Sequence, residues 1–460
     1  MVFLTRRWNV ALLIGLLCLV ASRVLMPDVN VQPDSRRYIS MGLNLAEYGT
    51  LSPAKFVSGV QPEPGLGMGG VYTALEIALA AKLHKPTRET LICLVATDET
   101  ENCEIRIPAL QGLYIAEIFI FHLSILTVSY LLFTCQIKAW LAVVISLCFK
   151  ETQFYATAIL AEPAYMMTSG LFLVAWLYAW KRPHQFKFWF WCGLALGLTA
   201  LVKPGWNAVL PALGMMLCVL AIWRRDLILS MPRPALSFLV GVCIIMAPLL
   251  VRNIVQLDHW GMSDPSYFAL SLSVRAGFNL MSWTEWAIGW IFYLPLSGAG
   301  RLFGYEVLEP LGWGDASYYV YGLNELSHLS MGQGGPREAV QYLWSGYFFN
   351  DPIKAIAVTV LLFWRGIFVG HVLGMLAVPS CVSFFFRVDH NTRRLFFLLS
   401  LPPLIMVGVH ALITANIYRY NIPLIVPYAV SMAYFAYFAI QWGMRKLPLT
   451  VLRKVSWLGK

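Results

Sequence analysis

"WNVALLIGLLCLVASRVLM", residues 8–26, is followed shortly by "PDSRRYISMGLNLAEYGTLSP", residues 33–53. The first stretch is apolar for long enough to cross a bilayer, and Arg6 and Arg7 precede it. It outlasts a typical signal-peptide core and has no small-x-small cleavage site before Pro27, so it reads as a retained signal anchor. The second stretch has a helical period. Tyr38, Met41, Leu45 and Tyr48 fall on one face, and Arg36, Arg37, Ser40, Asn44 and Glu47 on the other. Such a helix is expected to lie flat at the membrane surface, with Asp34 after Pro33 at its start as an N-cap carboxylate.

The rest of the chain extends this reading. With 58% apolar and 13% charged residues in 460, it is too hydrophobic for a soluble domain. Apolar lengths place spans at 8–26, 107–134, 138–156, 157–180, 188–203, 205–223, 235–251, 353–378, 395–413 and 421–441, about ten crossings in all. Basic residues cluster between alternate spans: Arg6 and Arg7, then Lys181, Arg182 and Lys187, then Arg224 and Arg225, then Arg393 and Arg394, and finally Arg445, Lys446, Arg453 and Lys454. Asp226 and Asp389 are the acids that share those loops. The positive-inside rule then makes both termini cytoplasmic. The net charge of +10 is therefore orientation and not a nucleic-acid footprint.

Two segments, 27–106 and 252–352, are too long to be connectors and fall outside the membrane in this topology. Each holds a moderately apolar stretch, "GGVYTALEIALAAKL" (69–83) and "WAIGWIFYLPLSGAGRLF" (286–303), expected to be interfacial or re-entrant. Trp283, Trp286, Trp290 and Tyr293 suit the headgroup level. The expected fold is an all-α polytopic membrane protein, one domain over 1–460, with two long outer loops carrying interfacial helices. Cys93 and Cys103 lie in the first of these loops, where an oxidising compartment would let them pair.

A series of short motifs runs in register with this topology. Pro-Asp-Ser-x-x-Tyr at 33–38 follows the first span; "ILAEPAYMM" sets Glu162 at one outer span end, and "GLALGLTALVKP" sets Lys203 at another. "APLLVRNIV" carries Arg252 and Asn253, "SVRAGFNLM" carries Asn279, "FNDPIKAIAVTVLLFWRG" follows, and "YRYNIPLIVPY" sets Arg419 before the last span. The series resembles the GT-C superfamily of membrane glycosyltransferases, in particular the group of protein O-mannosyltransferases and lipid A aminoarabinose transferases. The resemblance covers most of the chain by order and sidedness.

It implies transfer of a sugar from a polyprenyl-phosphate carrier to a glycolipid, surface glycan or protein acceptor on the outer face of the membrane. The position matching the family's catalytic base is Asp34. Inverting transfer needs a base to take the acceptor hydroxyl's proton. Lys203, Arg252 and Arg419 match the places where basic residues hold the carrier phosphate, and cations there would stabilise the departing charge. Snorkelling at a helix end is the plain alternative for each. Glu162 is read as a second site acid or a structural ion-pair partner, because an ionisable group at a span is costly without a partner. Tyr38, Asn253 and Asn279 are candidate substrate contacts.

Other signals are bland. "GLGMGG" (65–70) lacks the preceding strand of a dinucleotide fingerprint and reads as a flexible turn, while His122 and His410 read as packed histidines. No compact acidic or histidine motif indicates a metal; the resemblance leaves a divalent cation open, since some GT-C enzymes bind one and others do not, and no other cofactor is expected. A transporter or flippase of lipid-linked saccharides is the competing reading, disfavoured because the acids concentrate in outer loops and no internal repeat stands out. The expected setting is a bacterial inner membrane with the site facing the periplasm.

Overall fold

The computed structural model describes residues 7–25, 31–67, 69–96, 103, 106–215, 232–295 and 309–445. Arg6, Arg224, Arg225, Asp226, Lys446, Arg453, Lys454, the second half of the expected span 205–223 and the end of the stretch 286–303 lie outside them. Among the described residues the regular structure is helical. The principal helices are α1 (Arg7–Val24), α2 (Pro33–Tyr48), α3 (Val71–Leu83), α4 (Lys85–Ala96), α5 (Pro108–Phe133), α6 (Gln136–Leu147), α7 (Glu162–Lys181) and α8 (Phe186–Val202). After these come α9 (Pro232–Leu257), α10 (Pro265–Phe278), α11 (Trp283–Phe292), α12 (Pro336–Leu343), α13 (Pro352–Gly366), α14 (Val372–Arg387), α15 (His390–Ile413) and α16 (Ile425–Arg445).

Among the described residues four helices are long and apolar enough to cross a membrane: Pro108–Phe133, Pro232–Leu257, His390–Ile413 and Tyr418–Gly443. A fifth candidate is the bent pair Pro336–Phe348 and Pro352–Gly366, whose halves lie at 99°. α1, α6, α8 and α14 are apolar but shorter. The chain is thus an integral membrane protein. Its close packing has a sequence origin in small residues: a methyl group at Gly193 of α8 would meet the Phe238 carbonyl oxygen at 2.0 Å, and one at Gly241 of α9 would meet that of Phe190 at 2.4 Å. Gly193 and Gly197 form a G-x-x-x-G step that lets the α8 and α9 backbones touch.

Three expected boundaries differ, each where a polar or glycine-rich break interrupts an apolar run. The span expected at 138–156 ends as a helix at Leu147, where Thr152 turns its hydroxyl onto the Ser146 and Phe149 carbonyls from a separate short helix, Lys150–Phe154. The next long helix, expected from 157, begins at Glu162. The span expected at 353–378 is two helices. α13 stops at Gly366, and the chain turns through Gly370 (φ 85°) and His371 (φ 51°) into α14. Glu151, buried on the short helix, fixes that turn by accepting the Gly370 N–H at 2.9 Å.

α2 forms where expected, with different caps and faces. Gln32 is the N-cap, its backbone N–H bonded to the Ser35 hydroxyl, so Asp34 sits in the first turn with its carboxylate released from capping. Ser40 and Asn44, expected on the wet face, are buried because α3 and the segment after Gly49 cover that side; Asn44 Nδ2 donates to the Ser52 and Ala54 carbonyls. α3 packs along α2 and leaves Leu75, Leu79 and Leu83 exposed. A disulfide joins Cys93 of α4 to Cys103. On α11, Trp283, Trp286 and Trp290 form an edge-to-face ladder that continues to Trp364 of α13.

Candidate active site

The site is built at helix ends. Glu162 opens α7 and Lys203 closes α8, and these are consecutive antiparallel helices, so both residues lie at one end of the hairpin. Arg419 lies in the turn Tyr418–Leu424 between α15 and α16. Asp34 opens the helix that follows α1. Local sequence explains each position. Pro204 stops α8 directly after Lys203, and a carboxylate in the first turn of α7 suits the positive end of the helix.

Four of the sequence-predicted residues form one chain of charge. Asp34 Oδ2 accepts from Arg419 Nη2 at 2.9 Å, Arg419 Nε lies 4.0 Å from Glu162 Oε1, and Glu162 Oε1 accepts from Lys203 Nζ at 2.9 Å. The four residues come from points nearly 400 positions apart in sequence, Asp34 and Arg419 being separated by 385. The side chain of Glu162 is 1% exposed and that of Asp34 is 41% exposed, so the chain runs from a buried acid to an accessible one. Glu162 Oε2 is buried with no hydrogen-bond partner among the described residues.

Aromatic residues hold this chain in place. Trp206 Nε1 donates to the Tyr165 hydroxyl at 2.8 Å, and that hydroxyl donates to the Tyr420 carbonyl at 2.8 Å, which anchors the backbone next to Arg419. The Arg419 guanidinium is 5.4 Å from the centre of the Tyr420 ring, and Lys203 Nζ is 5.5 Å from it. Tyr165 and Trp206 each stand three residues after a charged member of the chain, a spacing that brings side chains to one face of a helix and was legible in the sequence.

A cavity of about 300 Å³ opens on the Lys203 side. Its walls include Tyr38, Gly69, Gly70, Lys203, Asn207, Ser263, Tyr267, His410 and Tyr420. Asp34 faces a smaller cleft of about 20 Å³ that shares Tyr38, Gly69 and Tyr267 with the cavity. The glycines of "GLGMGG" here acquire a purpose. Gly70 has φ 68°, and a methyl group on it would sit 2.4 Å from the Tyr38 ring. Burial, with the Glu162 and Asp34 charges adding, pushes the Tyr38 hydroxyl well above the usual phenol range, so it stays a neutral donor. Tyr420 and burial do the same to Tyr267.

The remaining candidates stand elsewhere. Arg252 donates to the Gly65 and Leu51 carbonyls, to Asn253 Oδ1 and to Gln256. Asn253 in turn donates to the Gly261 carbonyl. Asn279 accepts from Arg275 and donates to the Tyr347 carbonyl. These three are occupied in joining segments and do not line the cavity or the cleft. Among the described residues no group of three or more His, Cys, Asp or Glu stands together to hold a metal ion.

By shape the chain is similar to crystal structures of ArnT from Cupriavidus metallidurans. With the apo state it shares 14% identity at a TM-score of 0.37, over 92% of this chain and 77% of that one. With the form bound to undecaprenyl phosphate it shares 14% identity at a TM-score of 0.35, over 95% and 81%. No family model and no curated protein matches the sequence.

Proposed function

We propose that the chain is an integral membrane glycosyltransferase that moves a sugar from a polyprenyl-phosphate carrier to an acceptor hydroxyl, with inversion at the anomeric carbon. The observation that carries this reading is the convergence of Asp34, Glu162, Lys203 and Arg419 into one charge chain beside a cavity of sugar-phosphate size. Two cations held against a buried carboxylate, with an accessible carboxylate at the far end, suit a reaction that expels phosphate and removes a proton.

In this mechanism Lys203 and Arg419 grip the phosphodiester of the donor, and Glu162 holds the two cations in place between substrates. An incoming phosphate competes with Asp34 for Arg419 and so frees the Asp34 carboxylate. The acceptor oxygen attacks the anomeric carbon while its proton passes to Asp34. The bond from the anomeric carbon to the phosphate oxygen breaks, and the electron pair leaves with the polyprenyl phosphate, where both cations stabilise it. Tyr38 and Tyr267, neutral donors between the two cavities, orient the groups on either side.

Both long segments contribute walls to the cavity, Tyr38, Gly69 and Gly70 from 27–106 and Ser263, Tyr267 and Phe268 from 252–352. This supports a single domain whose two loops lie on the same side of the membrane. We assign that side to the periplasm of a bacterial inner membrane, with ten crossings and both termini cytoplasmic. The partners are then a polyprenyl-phosphate sugar, membrane lipid, and a glycan, glycolipid or protein acceptor.

The test is sugar transfer from a mixture of polyprenyl-phosphate sugars to membrane extract by purified protein, wild type against Asp34→Asn. Transfer by wild type that falls at least about 100-fold in the variant supports the reading. Movement of lipid-linked saccharide between leaflets with no consumption of donor would replace it with transport.

A further inference from the structure

His410 sits near the end of α15, on the wall of the 300 Å³ cavity, with its ring 5.0 Å from the Tyr420 ring that Lys203 also faces. Its tautomer is fixed by a chain of amides that ends on carbonyls able only to accept. Asn416 Nδ2 donates to the Leu362 and Val407 carbonyls, so Asn416 Oδ1 must point the other way. There it accepts from Asn421 Nδ2 at 2.7 Å, and that same nitrogen donates to the Gly366 carbonyl. Asn421 Oδ1 is therefore the atom 3.2 Å from His410 Nδ1, and the imidazole nitrogen must be the donor.

The consequence appears on the other side of the ring. Nε2 has no hydrogen-bond partner among the described residues; it lies toward Gly205, which lines the same cavity, 3.3 Å from where a methyl group on that glycine would be. A second proton on Nε2 would put an unpaired cation next to the Lys203 ammonium in a buried site, a costly arrangement. The ring is thus a neutral acceptor aimed into the cavity, and Asn416 and Asn421 exist in this chain as buried groups whose bonds keep it so.

We propose that His410 is a sugar-positioning residue: its Nε2 accepts a hydrogen bond from a hydroxyl of the donor sugar while Lys203 holds the adjoining phosphate. Asn421 acts through His410 as a positioning residue. This inference rests on the transferase reading and names the part of the donor that the cavity recognises, a hydroxyl-bearing glycosyl group. Lys203, Tyr38 and Tyr267 offer protons to the cavity, while His410 Nε2 and Asn207 Oδ1, which is unpartnered among the described residues, offer acceptors, which a sugar hydroxyl needs.

Two measurements test it. In protein labelled with ¹⁵N-histidine and assigned with His410→Gln, the His410 resonances should report the Nδ1–H tautomer, and Asn421→Leu should mix the tautomers; a ring protonated at Nε2 in wild type would overturn the proposal. Kinetics then use polyprenyl-phosphate glucose, mannose, galactose and arabinose as donors. With whichever donor wild type uses, His410→Phe should raise KM about 10-fold or more, and His410→Gln, which keeps an acceptor, should recover most of that loss. A monodeoxy donor lacking the contacted hydroxyl should be poor for wild type and no worse for His410→Phe. Unchanged KM in His410→Phe with active wild type sinks this inference alone. Wild type inactive with all four donors sinks the transferase reading, and the inference with it.

Discussion

Two sets of buried or half-buried cations in this protein look alike in sequence and differ in what surrounds them. Arg419 and Lys203 face carboxylates, those of Asp34 and Glu162; Lys203 lines the cavity, and Asp34, the partner of Arg419, lines the cleft. Arg275 and Arg252 face backbone carbonyls. Arg275, fully buried on α10, donates to the carbonyls of Ala411 and Ala355 and to Thr359 and Asn279, tying α10 to α13 and α15. Burial alone pulls its pKa down to about 9, yet its fork of donors is filled. A guanidinium spent on fixed carbonyls is a staple, whereas one balanced by a side-chain carboxylate has a partner that an incoming phosphate can replace.

The largest expected effect that separates the two sets is on activity. Arg419→Ala should lower kcat/KM by about 100-fold or more while leaving a folded protein, as measured by transfer rate and thermal unfolding in detergent. Arg275→Met reverses the pattern: it strands four acceptors and should destabilise by about 3 kcal/mol or more, read as a lowered midpoint with residual activity in the folded fraction. Arg252→Ala should give a smaller loss of stability, about 1 kcal/mol, from freeing the Gly65 and Leu51 carbonyls, with at most a few-fold change in KM.

The smallest effect concerns pH. Glu76 on α3 is buried, which raises its pKa to about 7 from the ordinary 4.5. A carboxyl raised in the folded state binds more protons folded than unfolded between those values, so stability is present in full below about 4.5 and declines as pH rises through about 7. The unfolding midpoint should fall by a few degrees over that window, and because Glu76 is paired with the buried Glu117, the double variant Glu76→Gln/Glu117→Gln should flatten the profile. An unchanged profile in the variant would remove Glu76 from the account.

Membrane character, α2, α3 and the helix-end placement of Asp34, Glu162, Lys203 and Arg419 follow from apolar length, period and charge, which act locally. Whether a cation at a helix end meets a carboxylate or a carbonyl depends on contacts such as Arg252 with Leu51, 201 positions away, and leaves no trace in the neighbouring residues. The break at 367–371 was hidden for a similar reason. An apolar run conceals it, and the Glu151 carboxylate that fixes it lies 219 positions away. His410 read as a packed histidine because its partners, Asn416 and Asn421, are polar residues in a turn whose bonds only the fold defines.

The role of the Glu162–Lys203 pair is decided by the double variant Glu162→Gln/Lys203→Gln, assayed for transfer and for thermal stability beside each single variant. A purely structural ion pair tolerates joint neutralisation better than the loss of one partner. If the pair belongs to a phosphate-transfer site, the double variant should be folded and as inactive as Lys203→Gln alone. A double variant that regains both stability and wild-type transfer would make the pair structural and take it out of the phosphate site.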